Sequence, residues 1–476
     1  MKKYIYKHRL IAIVLIIFYG CKKSSFLETR PDDSLVVPTS LKDLQAILDN
    51  DAIMNGNASG VGLMPNSGEI SYNSYYVNDA NFGGVLTPLE QKLYKWDKQP
   101  FTGEPNILDW DLPYRSVFYS NVVLDGLKKI TPEASQQSEF NNIYYSALFY
   151  RAHIFYQLAQ IFAPVYASET ASTDWGIPLR LTADVNEEIR RSTVAETYSK
   201  IIEDLKSCAG ELTTNPLYKT RPSKQAACAL LARVYLSMRN YDSAFVYADK
   251  SLQLYNKLVD YNILMVTNTN FPFLNIRFND EVIFHCLLRE CLPLRLGAAI
   301  VDNTIYNSYN NNDLRKADKN NDLLKGAFYR FISNTYSFRG SYYGSVQLFS
   351  GLATDELYLI RAECFARKNS TSQALSDLNA LLIKRWRNTV QYTQVTATDA
   401  ADALNKILEE RKRELMFRGL FWTDLRRLNK EGRNISFTRT VLGQTYTLPP
   451  NDLRYTFPIP DNVINFNPGM PQNPRQ

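Results

Sequence analysis

Two kinds of side chain in this sequence are set out in a way that could do chemistry by contact: aromatic rings interleaved with amides, and one cysteine behind an apolar run. Residues 66–97 hold Tyr72, Tyr75, Tyr76 and Trp96, with Asn66, Asn73, Asn78 and Asp79 among them. A second set is Tyr306 and Tyr309 beside Asn307, Asn310 and Asn311, and a third is Tyr342 with Tyr343. Such groups suit a sugar. A pyranose packs its C–H face on an aromatic ring, and its edge hydroxyls need amides, carboxylates or guanidinium groups. Each stack is worth about 1 kcal/mol, by analogy with aromatic pairs. The expected ligand contacts are therefore Tyr72, Asn73, Tyr75, Tyr76, Asn78, Trp96, Tyr306, Tyr309, Tyr342 and Tyr343. The competing reading of each is plain loop packing.

Residues for catalysis are sparse. Past the first 20 residues only His153 and His285 remain, far apart, and the cysteines are scattered, so zinc-ligand spacing is missing. His153 reads as a packed residue on a long helix. There is no Gly-x-Ser-x-Gly elbow and no phosphate-cradling glycine loop. Asp49-Asn50-Asp51 and Asp318-Lys319-Asn320-Asn321-Asp322 begin like calcium loops. Both lack the glycine at the sixth position, where Met54 and Leu323 stand, and the later glutamate. Glu409, Glu410 and Glu414 read as the solvated, salt-bridged face of a helix, through the pairs Glu409–Arg413 and Glu414–Arg418. The expectation is no metal, no cofactor and no enzyme.

The cysteine is Cys21. Basic residues at 1–9 precede an unbroken apolar run from Leu10 to Tyr19, then Gly20-Cys21. This is the layout of a secretory signal peptide, and the run is well short of the roughly 20 residues that span a bilayer. Gly20-Cys21 is similar to a bacterial lipobox, which marks Cys21 for acylation and an anchor of several buried methylenes. The other cysteines are five: Cys208, Cys228, Cys286, Cys291 and Cys364. The first two and the last sit in helical patterns, while Cys286 and Cys291 are near enough in sequence to pair. The formal charge of +6 falls to +2 once Lys2, Lys3, Lys7 and Arg9 are set aside. That leaves no basic stripe for nucleic acid.

The elements that must position these groups are mostly helices. Apolar periodicity predicts helices at 39–50, 112–130, 139–162, 194–212, 223–238, 241–254, 354–366, 372–386 and 399–428. Residues 281–288 alternate like a strand. Residues 51–105 and 302–322 read as loop, and 446–476 as extended. Ala232, Tyr235, Ala244 and Ala248 share their spacing with Ala362, Phe365, Ala374 and Leu378. That is the spacing of a tetratricopeptide helix pair, where small residues let two backbones approach and an aromatic fills the gap beside them.

Five blocks together resemble the SusD/RagB family. They are the lipobox with Phe26-Leu27 and Pro31; Trp110-Asp111-Leu112-Pro113-Tyr114 with Asn121; Arg151-Ala152 through Phe162, Gly176-Ile177-Pro178-Leu179 and Ser192-Thr193-Val194 to Asp204-Leu205; Leu359-Ile360-Arg361-Ala362-Glu363 with Ala374 and Leu378-Asn379; and Glu409-Glu410-Arg411 through Trp422-Thr423-Asp424-Leu425-Arg426 to Phe457-Pro458-Ile459-Pro460 and Gln472-Asn473-Pro474. They run in family order over almost the whole chain. The Asp313-Leu314-Arg315 triplet fits a further family pattern. The basic Lys22-Lys23 tether departs from the acidic residues that often accompany surface export. The resemblance implies a mainly α fold: a signal peptide (1–20), a lipidated tether (21–25) and one domain (26–476) with halves at about 26–255 and 256–476. A tetratricopeptide-like scaffold would carry an irregular, loop-rich ligand face. It also implies an outer-membrane lipoprotein, facing the exterior in the family's manner, that binds a glycan or a peptide and serves a TonB-dependent SusC-like barrel. Trp110 and Trp422 fall in its scaffold blocks. Two other classes stay open: a tetratricopeptide adaptor that binds only proteins, and a glycan-degrading enzyme, which needs two converging carboxylates.

Overall fold

The predicted helices form, and their small residues explain how they pack. The structure is a computed structural model and describes residues 38–57, 61–263, 277–316, 326–332 and 335–475. Among these, ten helices have eight or more residues: α1 (Leu41–Leu48), α2 (Leu108–Leu127), α3 (Gln137–Phe162), α4 (Val194–Glu211), α5 (Lys224–Ser237), α6 (Tyr241–Leu254), α7 (Thr354–Arg367), α8 (Thr371–Leu382), α9 (Ala400–Glu414) and α10 (Phe421–Lys430). Cys21, the signal segment and Asp318–Asp322 lie outside the described residues. The fold is mainly α.

The repeat read from spacing is a pair of helical hairpins, α5–α6 and α7–α8. Ala232, Ala244, Ala248, Ala362 and Ala374 are wholly buried where the helices cross. The aromatic member of each repeat fills the space beside them. Tyr235 stacks on Tyr247 at 5.6 Å, and Phe365 meets Phe245 at 5.0 Å, joining one hairpin to the other. Arg361 reinforces the joint, reaching Asp377 and Asp249 at 2.7 Å each. Earlier in the chain Arg151 does the same for α2, α3 and α4. It pairs with Asp204 at 2.9 Å and donates to Asn121 Oδ1 at 3.1 Å.

Strands are short and occur in antiparallel pairs. They are β1 (Tyr75–Tyr76) with β5 (Ile300–Val301), β2 (Trp175–Pro178) with β3 (Arg191–Thr193), β4 (Val282–Phe284) with β8 (Leu352–Ala353), β6 (Phe328–Ile332) with β7 (Thr335–Phe338), and β9 (Phe437–Val441) with β10 (Gln444–Leu448). Segments 51–105 and 302–316 carry short helices of four to seven residues, so they are less irregular than their composition suggests.

Two expectations are corrected. The long helix 399–428 is two helices, α9 and α10. The break holds Phe417 and Gly419 at φ +57° and +74°, a region that disfavours side chains with a Cβ. Glu69 accepts the Gly419 N–H at 3.0 Å, and Ser350 donates to the Arg418 carbonyl at 3.0 Å, so distant segments fix the break. The charged face of α9 is also only partly solvated, with Glu409 exposed as expected. Glu410 and Glu414 are buried. Arg315 binds Asp313 at 2.6 Å, Glu410 at 2.5 Å, and Glu414. Arg385 joins Glu414 at 2.5 Å to Glu281 at 2.9 Å. Arg418 turns away from Glu414 to Asp355, at 2.7 Å. Arg413 pairs with Glu410, and Lys412 takes Glu409. A parallel series runs from Glu356 through Arg411, Asp424 and Arg427 to Glu363. Burial raises Glu414, but Arg385 and Arg315 outweigh it and hold the carboxyl at about 2.

Removing one member of a buried pair leaves the other charge stranded, at a cost of about 3–5 kcal/mol. A solvated pair contributes about 1 kcal/mol or less. Arg385→Met is therefore expected to lower unfolding stability by about 3–5 kcal/mol in denaturant titrations. A loss under about 1 kcal/mol would mean that the pairs are solvated after all.

Candidate functional site

Most of the aromatic residues singled out above face inward. Tyr72, Tyr75 and Trp96 are buried, and the rings of Tyr75, Tyr94 and Trp96 surround the guanidinium of Arg439 from β9. Arg439 lies 3.9 Å from the Tyr94 ring centre, 4.9 Å from that of Trp96 and 5.4 Å from that of Tyr75. It donates to the carbonyls of Tyr94 at 2.7 Å and Tyr72 at 2.5 Å, and to Asn73 Oδ1 at 3.2 Å. The cluster is thus an internal cation–π cage that ties the β9–β10 hairpin to residues 70–96. Tyr72 also packs against Phe421 and Phe437 at 4.9 and 5.0 Å. Tyr306 stacks on Tyr336 at 3.5 Å, and Tyr309 sits edge-on to Phe328 at 5.2 Å. The Tyr342 hydroxyl lies 2.5 Å from Glu281 and 3.0 Å from Asp355. A buried ring has no free face for a sugar, which corrects the ligand role expected of these six. Asn73 is spent on Arg439, and Asn78 caps the helix Asp79–Gly84 by accepting from the Asn81 N–H at 2.8 Å. Tyr76, at 38% exposure, keeps an open ring.

Tyr343 is half-buried. It donates to Asn57 Oδ1 at 2.7 Å and stacks on His285 at 5.5 Å. His285 is enclosed by Phe278, Tyr343 and Phe349, and neither ring nitrogen has a partner among the described residues. Asp49 and Asp51 are taken by Arg221 and Arg277. The two guanidinium groups match their charge. Glu281, Asp355 and Glu414 bring carboxylate oxygens within 4.8 Å of one another, but Arg315, Arg385, Arg418 and Tyr342 already occupy them. Cys286 and Cys291 are separate, buried thiols.

Residues 61–76 meet residues 287–301 through β1–β5 pairing and backbone bonds from 61–64 to 287–290. There they shape a hollow of about 470 Å³ between residues 288–296 and 346–348. Asp109, on the first turn of α2, fixes its base. It accepts from Arg289 Nε at 2.6 Å and from the Ser67 N–H at 2.8 Å. Glu90, locked in a capping box with Thr87, accepts the Leu292 N–H at 2.8 Å. Leu288 N–H donates to the Leu348 carbonyl at 2.9 Å. On the wall, Arg295 pairs with Glu290 at 2.9 Å through Nη2. This leaves Arg295 Nη1, Glu290 Oε2, Arg289 Nη1 and the Gln347 side-chain amide without partners among the described residues, beside the apolar Leu294 and Val346. Free donors and acceptors next to an apolar wall match the hydroxyls and C–H faces of a sugar. None of these wall residues stood out in the sequence. The available signal was three charges, Arg289, Glu290 and Arg295, interrupting an apolar run.

Comparison with known proteins follows the same lines. A family model described as "Starch-binding associating with outer membrane" matches residues 25–236, and one described as "SusD family" matches residues 306–475. No curated protein matches the sequence. Among solved structures, a SusD superfamily protein from Bacteroides vulgatus ATCC 8482 is 19% identical over 92% of this chain and 99% of its own, with a TM-score of 0.71. One from Bacteroides thetaiotaomicron VPI-5482 is 21% identical over 92% of this chain and 100% of its own, with a TM-score of 0.69. A SusD-like carbohydrate binding protein from Bacteroides vulgatus ATCC 8482 is 20% identical over 91% of this chain and 98% of its own, with a TM-score of 0.64. At these identities the likeness is one of fold. No helix of the described residues is long and apolar enough to cross a membrane.

His285 makes this region acid-sensitive. Burial, with Arg277 nearby, lowers its pKa from 6.5 to about 3. Between those values the unfolded chain takes up a proton that the folded chain refuses. The stability is complete above pH 6.5 and falls as pH drops towards 3, by up to about 1.4 kcal/mol per unit. His285→Phe is expected to flatten this loss in melts at pH 7, 5.5 and 4.5. An unchanged pH slope would count against a neutral, enclosed His285.

Proposed function

The chain belongs to the SusD/RagB family, and from that premise we propose that it is a lipid-anchored outer-membrane protein that binds an oligosaccharide in the loop-face hollow and passes it to a TonB-dependent barrel. The observation that carries the ligand class is the hollow's set of unspent polar groups. Arg295 and Glu290 brace each other at 2.9 Å and still offer one amino group and one oxygen outward. Such a pair can hold two neighbouring hydroxyls through charge-assisted hydrogen bonds. Val346 and Leu294 supply the apolar surface against which a ring's C–H face packs.

The reading is of binding, not turnover. Glycoside hydrolysis by its usual route takes two carboxyl groups about 5–9.5 Å apart across the scissile bond. Among its described walls the hollow presents one, Glu290. Anchoring through acylated Cys21, with the domain facing the exterior, rests on the lipobox and the family.

Calorimetric titration of residues 22–476 with soluble polysaccharides is expected to give saturable binding to one glycan class. Arg295→Ala and Gln347→Ala should each weaken it about ten-fold, the loss of one good polar contact. Binding that survives both substitutions would place the ligand elsewhere. Separately, Cys21→Ala should abolish palmitate labelling and release the protein from the membrane fraction. Retention of the label would remove Cys21 as the anchor.

A further inference from the structure

A second cavity has the opposite chemistry. It is a groove of about 290 Å³ between α2 and the six-residue helix Asp461–Phe466, and it shares no lining residue with the hollow. Trp110, Tyr114 and Phe118 project from α2, Ile189 comes from the loop before β3, and Val463 and Phe466 close the other side. Trp110 and Tyr114 lie 4.7 Å apart. Phe466 is 85% exposed, and Trp175, in an adjoining hollow that shares Ile189 and Phe466, is 47% exposed. Large rings left this open in a cluster mark a contact surface.

The polar groups around the rings decide what the groove can hold. Asn121 donates to the carbonyls of Arg180 and Thr182 at 2.9 and 3.0 Å and accepts from Arg151 at 3.1 Å. The Tyr114 hydroxyl donates to the Pro178 carbonyl at 2.8 Å, and Thr182 Oγ1 donates to Glu187 at 2.8 Å. Asn462 and Asn467 donate to the carbonyls of Pro105 and Val463, at 3.3 and 2.8 Å. The ions are matched among themselves: Arg180 with Glu187 at 3.6 Å and Arg190 with Glu188 at 2.7 Å. A hydroxyl-rich ligand entering here would lose hydrogen bonds to water and find these donors already engaged. A charged ligand would meet no unmatched ion among the described lining residues. Among the described residues, what remains unspent is the rings, with the Trp110 indole N–H and the Asn467 side-chain oxygen at their edge.

We propose that this groove is a second binding site, separate from the hollow, and that its ligand is an uncharged apolar ring, aryl or alicyclic, carried by a small molecule. The volume is at the small end of ligand cavities, room for about one or two such rings. The site uses none of the hollow's residues, so it stands or falls on its own.

The test uses benzyl alcohol and cyclohexylmethanol as ring probes and methyl glucoside as the hydroxyl-rich probe, each titrated by ligand-observed NMR against residues 22–476. Both ring probes should saturate, compete with each other and resist displacement by methyl glucoside. Phe466→Ala and Phe118→Ala should each weaken them by about ten-fold or more, as truncating an aromatic anchor does. Both side chains are exposed enough to leave the fold intact, which melts of the variants would verify. Arg295→Ala should leave the ring probes unchanged. The proposal is overturned if the ring probes fail to saturate, if both Phe variants bind them as the parent does, or if methyl glucoside displaces them. A loss of glycan binding in Arg295→Ala bears only on the hollow, so the two readings fail independently.

Discussion

Buried arginine–carboxylate pairing holds the second half of the molecule in place. Arg315, Arg385 and Arg418 bridge Asp313, Glu281, Asp355, Glu410 and Glu414, which come from α7, α9 and two connecting segments. Each ion is expensive to bury, and the attraction between partners does little more than offset that cost. The consequence is selectivity of arrangement. An ion displaced from its partner would be left bare in the interior, so α9 and the break after it have one position. Arg427 extends the same constraint to α10, with Glu363 at 2.7 Å and Asp424 at 2.8 Å.

The loop face borrows its order from this frame and from one further cation. Arg439 has no carboxylate and instead takes carbonyl oxygens and ring faces, and burial lowers its pKa. Tyr75, Tyr94 and Trp96 give their surfaces to it. That is why a segment rich in Tyr and Asn offers so little to solvent. What remains for ligands is assembled elsewhere. Asp109 and Glu90 brace the stretch carrying Arg289, Glu290 and Arg295, and the turn at Val346-Gln347 completes the wall.

The hollow and the groove differ in a way that composition could not express. Both have Arg, Asn or Gln beside apolar side chains. In the hollow, the polar atoms on the wall are left over after the fold has used what it needs. In the groove most of them are consumed by nearby carbonyls and by Glu187, and the rings make up most of what is left over. Hydrogen-bond accounting, more than residue type, separates a site for hydroxyls from a site for an apolar ring.

The sequence by itself determined the helices, the two hairpins and the family. Apolar periodicity, small residues at crossing points and turn residues act over a few positions, and Ala232, Ala244, Ala362 and Ala374 show that such local rules are enough to fix which face is buried. The hollow was not legible in the sequence, because its walls at 288–296 and 346–348 meet only when the chain folds. The individual contacts belong to the tertiary structure. Whether Tyr75 meets a sugar or Arg439 is decided by β9, more than 360 positions later in the chain. Whether Glu414 meets water or Arg385 is decided by how α8 and α9 pack. Aromatic and charged side chains have no intrinsic preference strong enough to choose between solvent and a distant partner, so only the assembled fold makes that choice.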